Sequence, residues 1–181
     1  MGEAKAKRER LRAVMLDECE KWSFPPSVAE AQAVAEVGQL PSVTARRVPE
    51  RDIAYMRMPG KECHANCAWY ADNDPDKATR HVIGWWRQPG AFVLHSVVER
   101  AGQYFCITPQ LPDTPETFEF IPDPAVEGRQ EGEVRRFYRN GHPCHPGLRF
   151  DPPWTIRYME AVKARLLAGV HPMRAGEVEV A

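Results

Sequence analysis

Residues 62–109 decide the fold, because one short helical segment is followed there by three strand-like runs. The segments read ECHANCAWY at 62–70, TRHVIGWWRQ at 79–88, AFVLHSVVER at 91–100 and QYFCITP at 103–109. Pro59-Gly60 forms a turn before the first segment, which predicts a helix with Cys63 in its first turn. Tight turns at 89–90 and 101–102 separate the other three runs. This pattern predicts a helix packed on an antiparallel β-meander.

Helical patterns flank this region on both sides. Residues 4–22 have apolar positions at helical spacing, and Ser27 with Glu30 forms the capping box of a second helix that ends at Gly38. Residues 43–58 suggest an edge strand, residues 117–121 a fourth, weaker strand, and residues 151–168 a last helix. The order predicts an α+β fold, with an N-terminal helical segment (1–42), an α+β domain (43–170) and a flexible tail (171–181).

Composition limits the partners that we expect. The 181 residues are 43% hydrophobic and carry a formal charge of −1, so neither nucleic acid nor a membrane surface is an expected partner. A basic run in the first twelve residues is typical of a solvated helix face. Five cysteines, an odd number, fit free thiols in a reducing compartment, and no apolar segment resembles a membrane span or a signal peptide. We therefore expect a cytoplasmic protein without a cofactor.

Cys63 and His95 are the predicted catalytic pair. A helix N-terminus or a neighbouring histidine lowers the pKa of a thiol, and the helix amides there can also stabilise an oxyanion. His95 interrupts an otherwise apolar strand, where a buried imidazole needs partners. If residues 101–102 form a two-residue hairpin loop, Thr108 lies opposite His95 and Cys106 is its diagonal neighbour. Thr108 is then the predicted orienting residue.

The order of Cys63, His95 and the Cys106-Ile107-Thr108-Pro109 segment resembles the papain-like and transglutaminase-like superfamily over about residues 60–110. The resemblance implies Cys63 as nucleophile and His95 as base. The aspartate of transglutaminase-like proteins is not carried over, because Cys106 occupies its apparent position. An enzyme of this type would transfer acyl groups through a thioester, as an amide hydrolase, deamidase or transglutaminase, with a peptide or protein as its substrate.

Several alternatives remain open at this point. His81 is the rival to His95 as base, while His64 and Asn66 flank the nucleophile and are candidates for oxyanion binding. One of Trp85 and Trp86 is expected in the core and the other on a groove. A non-catalytic interaction or immunity module on a decayed enzyme fold would explain the missing acid. A zinc site would use Cys63 and Cys67 together with His142, Cys144 and His145.

Overall fold

A computed structural model describes residues 2–110 and 114–179 of the chain. Its contacts divide the chain into two compact units. One comprises the chain up to Ala31 together with the chain from Arg149 onward, and the other comprises Gln32–Leu148. In the part of the chain that is described, no helix combines the length and the apolar character needed to cross a membrane.

The first unit is helical. It contains α1 (Gly2–Trp22), α5 (Pro152–Leu167) and the short α6 (Pro172–Ala175). Cys19 of α1 packs there with residues of α5 and α6, namely Val162, Leu166 and Ala175. Asp151 caps α5 by accepting a hydrogen bond from the backbone N–H of Trp154 at 2.9 Å. The packing thus groups α5 with α1 rather than with the strands, whereas the predicted domain of residues 43–170 placed it with the strands.

The second unit is built around five strands: β1 (Val43–Arg47), β2 (Thr79–Gln88), β3 (Ala91–Arg100), β4 (Gln103–Cys106) and β5 (Thr117–Pro122). Their order is β2-β5-β1-β4-β3, and β3 pairs again with β2, so the sheet closes into a five-stranded barrel. All neighbours are antiparallel except β1 and β4, which are parallel.

This closure corrects the predicted meander, while the α+β class is confirmed. The β2–β3–β4 part is antiparallel as expected, and Ala101 and Gly102 form its tight turn with positive φ angles of 52° and 76°. The prediction was wrong because it gave β1 an isolated edge position. Instead, β1 pairs with both β4 and β5, which removes the free sheet edges and buries Ala45, Phe118 and Phe120 inside.

Alternation along the strands gives the barrel two different faces. The interior holds Ala45, Val97, Cys106, Phe118 and Phe120. The exterior packs on helices in two clusters. Trp85, Phe92 and Ile121 pack against the end of α2 (Val28–Val37). Val98 and Ile107 pack against α4 (Cys63–Asp72) and the end of α3 (Glu50–Met56). Trp85 and Trp86 therefore lie on opposite faces, as the alternation predicts.

A second, three-stranded sheet follows the barrel. It consists of β6 (Val126–Glu131), β7 (Val134–Arg139) and β8 (His142–Pro143), and the short β9 (Gly147–Arg149) then lies beside β3. Asp123 anchors this sheet, because its carboxylate accepts hydrogen bonds from Trp85 Nε1 of β2 and Arg139 Nε of β7, both at 2.8 Å. The β6–β7 hairpin is thereby held close to the barrel wall.

Candidate functional site

Cys63 is the first residue of α4, as the sequence predicts. Backbone hydrogen bonding from Ser96, His64 and Cys63 itself acts to lower the pKa of its thiol. Burial outweighs this effect, and it raises the pKa of the Cys63 thiol from 9.0 to about 11. The Cys63 thiol is therefore neutral at neutral pH.

His95 lies inside the barrel rather than beside Cys63. Its Nε2 is 3.4 Å from the sulfur of Cys106, and its ring is surrounded by Trp86, Phe118 and Phe120. Burial lowers the pKa of His95 from 6.5 to about 4, so the ring is neutral. Among the described residues, no hydrogen bond joins Cys63 to His95.

The reason is the period of two along β3. Ser96 faces α4, where its hydroxyl contacts a side chain of that helix, and the preceding residue His95 must then face the barrel interior. The structure thus brings His64 of α4 and Ser96 together and leaves His95 on the other face of the strand.

Thr108 contacts α4 instead of His95. Asn66 Nδ2 donates to Thr108 Oγ1 at 3.1 Å and to the backbone oxygen of Pro59 at 2.9 Å. Both Asn66 and Thr108 are buried, so their contact ties α4 to the chain that follows β4. The predicted diagonal contact between His95 and Cys106 is present, with Gln110 Nε2 also 3.6 Å from that sulfur.

The polar cluster on the α4 side of the barrel consists of His64, Ser96 and His81. The Ser96 hydroxyl lies 2.7 Å from His64 Nδ1 and 2.8 Å from His81 Nε2. A hydroxyl has one proton, so it donates to one imidazole and accepts from the other. We call this set the His-Ser-His cluster.

The environment of the His-Ser-His cluster keeps both imidazoles neutral. Burial is the main cause that lowers the pKa of His64 from 6.5 to about 3, and electrostatic interaction with His95, His81 and Arg135 lowers it further. Burial and Arg135 also lower the pKa of His81. Phe137 of β7 covers His64, with 3.9 Å between the ring centroids. The β6–β7 hairpin therefore forms one wall of the cluster.

The residues of the zinc alternative are not gathered into a site. Within residues 2–110 and 114–179, no group of three or more His, Cys, Asp or Glu side chains could hold a metal ion. Cys67 is buried in the apolar cluster under α4, and His142 is exposed on β8. The geometry gives the zinc hypothesis no support.

Ser96 is the member of the cluster that sequence reasoning missed. Ser96 lies two residues before Val98, so both side chains lie on the same face of β3. Since Val98 packs under α4, this spacing is the signal that could have placed Ser96 there. His81 was considered as a base, and His64 as an oxyanion ligand. Their connection through one hydroxyl depends on the pairing of Ile83 with Ser96, which only the structure gives.

Comparison of the chain with protein-family models, with curated proteins and with solved structures gives no match.

Proposed function

We propose that the protein is a cysteine-dependent acyl-transfer enzyme in which Cys63 is the nucleophile and the His-Ser-His cluster supplies the base. The observation that carries the proposal is the position of Cys63 as the first residue of α4, where the helix presents its free backbone N–H groups. Donors placed at the start of a helix stabilise negative charge on a thiolate, and they also suit the oxyanion of an acyl intermediate.

His64 is the proposed base, and Ser96 orients it. Because Nδ1 of His64 contacts the Ser96 hydroxyl, we assign its Nε2 as the atom that takes the proton. Nδ1–H then donates to Ser96, whose hydroxyl donates to Nε2 of His81. These hydrogen bonds fix the tautomer and orientation of His64 and stabilise the imidazolium that forms during the reaction, a role that an aspartate has in other triads.

The proposed reaction transfers the proton during attack, not before it. With a thiol pKa of about 11 and an imidazole pKa of about 3, a resting thiolate–imidazolium pair is not populated. The Cys63 sulfur attacks the carbonyl carbon as its proton passes to His64. His64 then protonates the leaving amine or alcohol, and a thioester remains for hydrolysis or transfer to an amine. A peptide or protein amide is the proposed substrate.

Acetylation by 4-nitrophenyl acetate tests this proposal. We expect an acetyl thioester on Cys63, found by peptide mass mapping and released by neutral hydroxylamine. The modification should disappear from that position in Cys63→Ala and persist in Cys144→Ala, the matched control. Cys144 is also partly buried, and burial raises the pKa of its thiol to about 12. Equal acetylation of Cys63 and Cys144 would contradict the proposal.

A non-catalytic interaction module is the second candidate. It is favoured by the burial that raises the pKa of Cys63 and by a groove of about 500 Å³ at the end of β2 and the start of β5. Trp86, Pro89, Pro115 and Phe118 line this groove with polar neighbours. Under this hypothesis Cys63→Ala keeps the biological effect of the protein, and no acyl group is found on any thiol.

A further inference from the structure

Arg135 is an exposed cation on β7, two residues before Phe137, which covers His64 of the His-Ser-His cluster. Its two arginine neighbours on the β6–β7 hairpin are neutralised: Arg136 pairs with Glu131 at 3.0 Å, and Arg129 pairs with Glu127. Among the residues that the structure describes, no carboxylate lies within ion-pair distance of Arg135. The side chain is exposed, so it is free to meet a ligand.

Gly128 and Phe137 hold the Arg135 side chain in place. The guanidinium carbon lies 5.8 Å from the centre of the Phe137 ring, on the same face of β7. A Cβ atom at Gly128 would lie 2.6 Å from Arg135 Nε and 3.0 Å from its Nη2. The absence of a side chain at Gly128 therefore makes the space that Arg135 occupies.

The same face of β7 contacts the proposed base, because Phe137 lies against the His64 ring. The Phe137 ring lies 5.8 Å from the Arg135 guanidinium carbon and 3.9 Å, between centroids, from the His64 ring. The charge of Arg135 reaches both imidazoles, since it contributes to the lowered pKa of His64 and of His81. An anionic group bound at Arg135 would thus lie near Phe137, the residue that covers His64.

We propose that Arg135 is a specificity residue that binds a carboxylate of the acyl substrate, with Gly128 and Phe137 fixing the position of its guanidinium. The planar guanidinium matches a carboxylate with two parallel hydrogen bonds. The proposal rests on the proposed function, and it narrows the substrate class to acyl donors that carry an acidic group near the reacting carbonyl, such as an acidic peptide segment.

The kinetic test compares two esters of similar size, mono-4-nitrophenyl glutarate, which carries a carboxylate, and neutral 4-nitrophenyl butyrate. The quantity measured is the ratio of their rates of Cys63 acylation at constant ionic strength. Arg135→Gln should lower this ratio about fivefold, the effect of one exposed ion pair. Gly128→Ala should lower it as well, by displacing the guanidinium. Arg136→Gln, the matched control on the next residue, should leave it unchanged.

A binding measurement separates failure of this proposal from failure of the proposed function. Acetate is titrated against acetamide while NMR follows the Arg135 Nε–H and the His64 and His81 imidazoles. We expect a saturable response to acetate alone, lost in Arg135→Gln and kept in Arg136→Gln. An equal response in both variants, or an unchanged glutarate-to-butyrate ratio in Arg135→Gln, would overturn the proposal. Absence of acylation at Cys63 with a positive acetate response would instead reject only the enzymatic function.

Discussion

Replacing Ser96 with alanine removes one oxygen atom that two imidazole nitrogens share. The hydroxyl lies 2.7 Å from His64 Nδ1 and 2.8 Å from His81 Nε2, and Ser96 is fully buried. An unsatisfied buried polar group costs about 1–3 kcal/mol. Because both histidines are only partly buried, we take the lower end for each and expect Ser96→Ala to lower the free energy of unfolding by about 2 kcal/mol.

The assay is urea unfolding followed by tryptophan fluorescence, since Trp85 lies in the same unit as Ser96, and Trp22 lies in the same unit as the control residue Ser23. Ser23→Ala is the control: the Ser23 hydroxyl donates one hydrogen bond, to the Cys19 backbone oxygen at 2.7 Å, so its loss should cost about 1 kcal/mol. The two variants remove the same atom type and differ in the number of partners that lose their bond.

Ser96→Ala should also slow the acetylation of Cys63 about a hundredfold, the size of a typical general-base contribution. Without the hydroxyl, nothing holds the proton of His64 on Nδ1 and leaves Nε2 free. Imidazole ¹⁵N chemical shifts report this tautomer directly. A free energy of unfolding for Ser96→Ala within about 0.5 kcal/mol of wild type, the range of a neutral surface substitution, together with unchanged imidazole shifts, would show that the hydroxyl does not hold the two histidines.

Three further predictions concern the stability of the fold. Arg149→Met should lower the free energy of unfolding by about 3–5 kcal/mol, because it leaves the buried Glu30 carboxylate without its partner at 2.8 Å. Adding Glu30→Leu should restore most of this loss. A cost of Arg149→Met below about 1 kcal/mol would contradict the prediction. Gly84→Ala should prevent closure of the barrel, since its Cβ would lie 2.1 Å from the backbone oxygen of Ile121. Gly60→Ala is the control, because a Cβ at Gly60 meets open space. Equal urea midpoints for the two variants would contradict this difference. The free energy of unfolding should fall by up to about 3 kcal/mol as the pH drops from 6.5 towards 4, because of His95. The pKa of His95 in the folded protein, about 4, lies below its value in the unfolded chain, so the unfolded chain binds the proton first. A free energy of unfolding that does not change with pH, or a pH dependence that His95→Leu leaves unchanged, would contradict this.

Local patterns predicted the elements around the site well. Turn residues marked both hairpins, and Pro59-Gly60 placed Cys63 at the start of a helix. The diagonal contact of His95 with Cys106 also followed from the two-residue loop at 101–102. These features depend on residues close in sequence, for which turn geometry sets the register.

The features that sequence reasoning missed depend on long-range pairing. Closure of the barrel needs β1 to lie between β4 and β5, and a five-residue strand contains no signal of its neighbours. The face that His95 occupies depends on which side of β3 receives α4, and one residue along a strand reverses that choice. The β6–β7 hairpin forms a wall of the His-Ser-His cluster because Asp123 holds it near the barrel. The Asp123 carboxylate accepts hydrogen bonds from both Trp85 and Arg139.

The most direct test of the account compares His64→Gln with His95→Leu in the acetylation of Cys63 by 4-nitrophenyl acetate. Both variants are first shown to be folded by tryptophan fluorescence and urea unfolding. The account predicts that His64→Gln slows acetylation about a hundredfold, because it removes the base, and that His95→Leu keeps the rate within a few-fold, because His95 lies inside the barrel. Loss of acetylation in His95→Leu with a normal rate in His64→Gln would contradict it.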